Sequence, residues 1–120
     1  MSYVLIVEDD KVMADSLALM VQVLGWEVQF AHSVLGAVRL AHIDPPTLIL
    51  LDLHMPNMDG MDVLTYVKHD TATKNSAVVI VTVDDDPQTM QRARDGGAMD
   101  YLVKPVSLAQ IEDVLKRIPR

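Results

Sequence analysis

The chain has no cysteine, few aromatic side chains and no long apolar run in its 120 residues. The lack of cysteine excludes a disulfide framework, a thiolate metal site and a thiol nucleophile. No apolar stretch reaches the ~18 residues that a membrane-spanning helix needs, and no basic segment typical of a signal peptide opens the chain. We therefore expect a cytoplasmic protein with no membrane partner.

Positive charge is also scarce, because 10 lysine and arginine residues stand against 17 acidic ones and the net charge is −7. This sign opposes binding to a phosphate backbone, so we expect no nucleic acid partner. Half of the residues are hydrophobic but only 4% are aromatic, which predicts an aliphatic and methionine core. The length predicts a single domain over residues 1–120.

Short apolar runs alternate five times with segments of helical periodicity. Runs this short and this apolar are typical of strands buried on both faces of a sheet. The predicted strands are 4–7, 26–30, 47–51, 77–81 and 99–103. The predicted helices are 12–24, 34–42, 61–69, one that starts at Pro87 and ends at Gly96, and one that Ser107 caps and that runs to about residue 118.

This alternation predicts an α/β fold, with a five-stranded parallel sheet and helices on both faces. The expected wiring is the flavodoxin-like (βα)5 arrangement with strand order 2-1-3-4-5. In that order the first and third strands are neighbours at the centre of the sheet. Residues that follow these two strands should therefore lie side by side.

Charged residues follow three of the predicted strands directly. Glu8 and Asp9 follow the first, Asp52 the third and Lys104 the fifth, while Thr82 follows the fourth. The carboxyl ends of parallel strands form the ligand crevice of such a sheet. Three carboxylates and one amine in a crevice indicate a divalent-cation site with a phosphate-sized anion beside it.

Each of these residues also has an ordinary structural explanation. An aspartate at a strand end often caps the next turn, a lysine before proline is usually solvated, and Thr82 alone is a β-branched strand residue. Asp10 is better explained as a helix-start residue than as a ligand. The histidines at 32, 42, 54 and 69 have no metal-site spacing, so we expect no metal ligand among their side chains.

Four landmarks occur in order along the chain: Val7-Glu8-Asp9-Asp10, the loop 51–60, Thr82 and Lys104-Pro105. Together they resemble the receiver domain of two-component response regulators over nearly the whole chain. The resemblance implies that Asp52 accepts a phosphoryl group from a phosphohistidine on a sensor histidine kinase or a phosphotransfer protein. It also implies that Mg²⁺ (or Mn²⁺) is held by Glu8, Asp9, Asp52 and the backbone carbonyl of His54.

The same resemblance implies a switch. Thr82 and Lys104 would contact the phosphoryl oxygens, and Tyr101 would turn inward when Thr82 moves. We expect partners to recognise the changed conformation of the face formed by helix 4, strand 5 and helix 5. A homodimer could also form through this face. Such a domain assists its own phosphorylation and dephosphorylation and is not a turnover enzyme.

Three residues near the expected site bear on the rates of phosphorylation and dephosphorylation. Val83 stands where the family usually has a small residue, so we expect it to narrow the mouth of the site. By resemblance, His54 and Asp84 occupy the two rim positions that tune the lifetime of the phosphoryl group. These residues bear on rates and not on the phosphoacceptor role of Asp52.

Three other functions fit the sequence less well. A phosphohydrolase with an aspartyl phosphate needs a second acid-base aspartate two residues after the nucleophile, where this chain has His54. A flavodoxin-like flavin carrier needs a phosphate-binding loop after the first strand, where Glu8, Asp9 and Asp10 would repel phosphate. A receiver that only binds partners would not need every site residue that this sequence retains.

Overall fold

The computed structural model describes residues 3–56 and 58–119. Asn57, in the loop expected after Asp52, lies outside the described residues. Five parallel strands form the central sheet, namely β1 (Tyr3–Val7), β2 (Glu27–Ala31), β3 (Leu48–Leu51), β4 (Ala77–Thr82) and β5 (Asp100–Val103). The helices are α1 (Lys11–Val23), α2 (Val34–Ile43), α3 (Gly60–His69), α4 (Pro87–Asp95) and α5 (Leu108–Lys116).

The strand order is β2-β1-β3-β4-β5, so the predicted flavodoxin-like wiring is confirmed. All five residues of β1 and all four of β3 are buried, as expected for strands covered on both faces. The register pairs Val7 of β1 with Leu51 of β3. The residues that follow these partners, Glu8 and Asp52, consequently emerge together at the carboxyl edge of the sheet.

Successive strand residues point to opposite faces and form two cores. On one face, Leu5, Ile49 and Ile80 pack against α2, α3 and Ala93 of α4. On the other face, the strand residues next to these in sequence, such as Ile6 and Leu50, pack against α1 and α5. None of the helices in the described ranges is long and apolar enough to cross a membrane.

Side-chain caps fix where the helices begin. The Asp10 carboxylate accepts a hydrogen bond from the backbone N–H of Met13, so Asp10 is the N-cap of α1, as predicted. Ser107 and Gln110 form the predicted capping box of α5, each side chain bonding to the other's backbone N–H. Apart from α5, every predicted strand and helix is off by one residue at one end or both, as in β2, which starts at Glu27 instead of residue 26. The end of α5 is off by two residues, at Lys116 instead of about residue 118.

A short antiparallel hairpin, with two residues in each strand, follows Asp52 and was not predicted from the sequence. His54–Met55 pairs with Met58–Asp59, and α3 begins at Gly60. A Cβ atom at Gly60 would overlap the backbone carbonyl oxygen of Asp52 and lie 2.7 Å from the Cα of Leu53. This position therefore needs glycine, because the start of α3 rests directly on the backbone that carries Asp52.

Candidate functional site

The residues singled out in the sequence meet at the carboxyl edge of the sheet. Glu8, Asp9 and Asp52 each offer a carboxylate oxygen, and these three atoms lie within 4.8 Å of one another. Glu8 and Asp52 are nearly buried, at 2% and 7% exposure, whereas Asp9 is exposed. Oxygen donors from carboxylates are what Mg²⁺ prefers, so the residues present fit this ion.

The Lys104 ammonium lies between two of these carboxylates. Its Nζ is 2.5 Å from Oε1 of Glu8 and 3.2 Å from Oδ2 of Asp52. The Lys104 backbone N–H donates to the carbonyl of Thr82 at 2.8 Å, and a cis peptide bond joins Lys104 to Pro105. The cluster thus holds three carboxylates and one ammonium, and this excess of negative charge suits a divalent cation.

Burial and the contacts between charged groups together set the direction of two pKa shifts in this cluster. Burial raises the pKa of Glu8 and the nearby charge of Asp52 adds to it, although the hydrogen bond from Lys104 opposes the rise. Burial alone would lower the pKa of Lys104. The hydrogen bond to Glu8 and the charges of Asp52 and Glu8 outweigh that effect, so the Lys104 pKa is raised and the ammonium stays charged.

Both oxygens of Asp52 have a defined partner. The backbone N–H of His54 donates to Oδ1 at 3.1 Å, while Oδ2 faces Lys104. The Asp52 backbone N–H donates to the carbonyl of Val7 at 3.0 Å and continues the pairing of β3 with β1. The Asp52 carboxylate is therefore oriented on both sides by groups that belong to the rim of the sheet.

Thr82 and Tyr101 lie next to this cluster. Thr82 is fully buried, and its hydroxyl accepts a hydrogen bond from the Asp84 N–H at 3.4 Å. Tyr101 is 7% exposed and points inward, with its hydroxyl donating to the Asp84 backbone carbonyl at 2.7 Å. Burial, with the charge of Asp84 next in size, raises the pKa of Tyr101 to about 12.

A side-chain pair spans the rim. Nε2 of His54 lies 2.6 Å from Oδ2 of Asp84, and the hydrogen bond from His54 lowers the pKa of that carboxyl. Val83 stands between Thr82 and Asp84 and is 70% exposed. The sequence analysis identified His54 and Asp84 as separate rim residues. It did not predict the contact between them, because they are 30 positions apart on different loops.

One neighbour of the site was not predicted at all. Nδ1 of His32 lies 3.0 Å from the backbone carbonyl oxygen of Glu8. The parallel pairing of β1 with β2 places Ala31 opposite Val7, so the residues after them are adjacent. This register could have predicted the contact between His32 and Glu8, because each residue directly follows one of two neighbouring strands.

Comparison with known proteins adds to this geometry. The sequence model of the response regulator receiver domain matches residues 4–116. The chain belongs to this family. The resemblance seen in the sequence is thereby confirmed, and the chain is a receiver domain of the kind found in two-component signalling.

Two curated relatives and one solved structure illustrate the family. The chain is 38% identical over 110 residues to the transcriptional regulatory protein PdtaR of Mycobacterium tuberculosis, covering 90% of this chain and 52% of that protein. It is 30% identical over 113 residues to the polar-differentiation response regulator DivK of Brucella ovis, covering 94% of this chain and 92% of DivK. The chain thus spans about half the length of some curated relatives and nearly all of another.

The solved structure is the receiver domain of sensor histidine kinase PA1611 from Pseudomonas aeruginosa PAO1, with a magnesium ion coordinated in its active site cleft. It superposes with a TM-score of 0.87 at 25% identity and covers 97% of this chain and 95% of that one. Receiver domains serve as phosphoacceptors, bind Mg²⁺ at an acidic site, and interact with histidine kinases or phosphotransfer proteins. They are generally not turnover enzymes.

Proposed function

We propose that residues 1–120 form one receiver domain in which Asp52 accepts a phosphoryl group from a phosphohistidine of a sensor histidine kinase or phosphotransfer protein. A carboxylate oxygen of Asp52 bonds to phosphorus as the phosphorus–nitrogen bond breaks, and the electron pair of that bond stays on the imidazole. The observation that carries this proposal is that Asp52 contacts the Lys104 ammonium and offers a carboxylate oxygen within 4.8 Å of those of Glu8 and Asp9.

The donor set supports a metal-dependent reaction. Glu8, Asp9, Asp52 and the backbone carbonyl of His54 would hold Mg²⁺, for which Mn²⁺ is an alternative. When bound, the ion would neutralise charge on the transferring phosphoryl oxygens. The excess of carboxylates over ammonium in the cluster supports this assignment.

Lys104 and Thr82 would bind the phosphoryl group once it is on Asp52. Lys104 already lies 3.2 Å from Oδ2 of Asp52, so its ammonium is within reach of a group attached there. The Thr82 hydroxyl can donate a hydrogen bond, and in the structure its oxygen accepts a long one from the Asp84 N–H. A hydrogen bond donated by this hydroxyl to a phosphoryl oxygen would draw the end of β4 toward the site.

Thr82 and Tyr101 would pass this change to the face formed by α4, β5 and α5. The contact of Tyr101 with the Asp84 carbonyl links β5 to the loop that follows Thr82. In α4, whose nine residues are all described, only Ala93 is fully buried, so a shift of this helix costs little packing. A few kcal/mol of differential stabilisation then suffices to invert the two populations.

The test is phosphorylation of the whole chain by acetyl phosphate with Mg²⁺, followed by intact mass spectrometry. We expect one added phosphoryl group in the wild type, none in Asp52→Ala, and none without divalent cation. Asp62→Asn, which removes an exposed carboxylate from the first turn of α3, is the matched control and should be phosphorylated normally. An undiminished yield in Asp52→Ala would refute Asp52 as the acceptor.

A further inference from the structure

His32 joins the end of the edge strand β2 to the acidic segment after β1. Its Nδ1 lies 3.0 Å from the backbone carbonyl oxygen of Glu8. A carbonyl oxygen only accepts hydrogen bonds, so Nδ1 must carry a proton and donate it. In the neutral ring this fixes the Nδ1–H tautomer and leaves Nε2 without a proton.

The hydrogen bond from His32 to the Glu8 carbonyl also affects the position of Asp9. The Glu8 carbonyl and the nitrogen of Asp9 belong to one planar peptide group, so a bond that orients the carbonyl also orients the chain toward Asp9. On the β2 side, the other bond to this segment runs from the Glu8 N–H to the carbonyl of Ala31 at 3.3 Å, which is longer than usual. The contact from His32 is the shorter of the two.

Asp9 is the carboxylate that most needs this support. Glu8 and Asp52 are nearly buried, and Lys104 bonds to both of them. Asp9 is exposed, so its position depends on the backbone that carries it rather than on packing around its side chain. Asp9 and His32 line one cavity of about 460 Å³, together with Lys11, Ala14, Asp15 and Phe30.

The imidazole is itself held in place. Its ring stacks on that of Phe30, with centroids 6.2 Å apart and planes inclined by 10°. His32 lies one residue past the end of β2, and continued alternation of side chains places it on the same side as Phe30. The stack limits rotation of the imidazole, so that Nδ1 stays directed at the Glu8 carbonyl.

We propose that His32 is a positioning residue of the metal site, which fixes the peptide group between Glu8 and Asp9 and so directs the Asp9 carboxylate at the cation. The inference rests on the proposed function, because it takes Glu8, Asp9 and Asp52 as the Mg²⁺ ligands. His32 acts through the backbone and touches neither the metal nor the phosphoryl group.

Two substitutions separate the hydrogen bond from the ring. His32→Phe keeps an aromatic ring on Phe30 but has no donor, whereas His32→Asn keeps an N–H donor in a comparable place without the ring. Calorimetric titration of the whole chain with Mg²⁺ should show affinity weakened roughly three- to tenfold in His32→Phe, the effect of one net hydrogen bond. His32→Asn should stay within about twofold of the wild type, since the donor is restored.

The metal-free melting temperature distinguishes positioning from a general structural role. His32 is exposed, so both variants should melt close to the wild type without Mg²⁺. Unchanged Mg²⁺ affinity in His32→Phe, or equal weakening in both variants, would overturn the inference while leaving the proposed function intact. A wild-type chain that binds no Mg²⁺ would overturn both.

A measurement on the wild type does not depend on any variant folding. Long-range ¹H–¹⁵N correlation spectra of the metal-free chain distinguish the two neutral tautomers of each histidine. We expect His32 to show the Nδ1–H form. A predominant Nε2–H form would mean that Nδ1 does not donate to Glu8, and the positioning role would be rejected.

Discussion

The hydroxyl of Tyr101 donates a hydrogen bond to the backbone carbonyl of Asp84 at 2.7 Å. The same Asp84 bonds through its carboxylate to His54 and through its N–H to the hydroxyl of Thr82. Its other carboxylate oxygen accepts from the N–H of Asp86, which caps α4. One residue thus connects the rim of the site, the end of β4, the ring on β5 and the start of α4.

Tyr101→Phe should weaken the proposed switch more than the fold. The substitution keeps the buried ring but removes the bond to Asp84, which should lower the free energy of unfolding by about 1 kcal/mol. With a phosphoryl mimic at Asp52, amide chemical shifts on α4 and β5 should change less than in the wild type. Tyr66→Phe, at a 39% exposed tyrosine, is the control. Full-sized shift changes in Tyr101→Phe would argue against this route.

Alkaline pH should destabilise the fold through two buried tyrosines. Burial, with a smaller contribution from nearby carboxylates, raises the pKa of Tyr3 and of Tyr101 to about 12. The unfolded value is about 10, so the unfolded chain loses these protons first. The stability they contribute is complete below about pH 10 and is lost as the pH rises toward 12, by about 2 kcal/mol for each tyrosine.

Urea denaturation at a series of alkaline pH values tests this window. Tyr3→Phe and Tyr101→Phe lack the ionisable hydroxyl, so each should lose less stability between about pH 10 and 12 than the wild type does. The comparison is made as a difference from the wild type, which cancels the titration of lysines in the same range. Equal losses in all three proteins would contradict the raised tyrosine pKa values.

Gly60→Ala should damage the site and the fold together. The added Cβ would overlap the carbonyl of Asp52, so the start of α3 or the loop below it must move. We expect a loss of about 2 kcal/mol or more in the free energy of unfolding and slower phosphorylation of Asp52. Gly36→Ala is the matched control, because there the Cβ meets only the Ser33 side chain on an exposed helix turn. Equal stability of the two variants would refute the steric argument.

Val83→Ala should speed both phosphorylation by small donors and loss of the phosphoryl group, each by a few-fold. We expect the valine side chain to crowd the in-line path that a donor or an attacking water must take. The side chain is 70% exposed, so its truncation should leave stability nearly unchanged and the rates can be compared directly. Unchanged or slower dephosphorylation in Val83→Ala would show that the size of this side chain does not control the rate, and the contact between His54 and Asp84 would be tested next.

The central strands and the helix starts were predictable because their signals are local. The apolar runs of β1 and β3 are buried on both faces, and Asp10 and Ser107 cap helices as their positions indicated. The start of β2 was placed one residue early because Trp26 is apolar. Its indole instead packs in the core between the sheet and helices α1 and α5.

The contacts around the site were not predictable in the same way. The bonds from His54 to Asp84 and from His32 to Glu8 join residues 30 and 24 positions apart. Both depend on how two loops lie relative to each other, and periodicity along the chain carries no information on that. The hairpin after Asp52 has two residues in each strand, too few for an alternating pattern to be detected.

The sparse packing of α4 also bears on how such a domain can acquire new partners. Of residues 87–95, all described, only Ala93 is fully buried, and Met90 packs partly against the same core. The other residues of α4 must keep the protein soluble and the helix formed, but few of them must fit the packing of the core. The surface that a partner would recognise can therefore accumulate substitutions while the chemistry at Asp52 and the sheet beneath it stay the same.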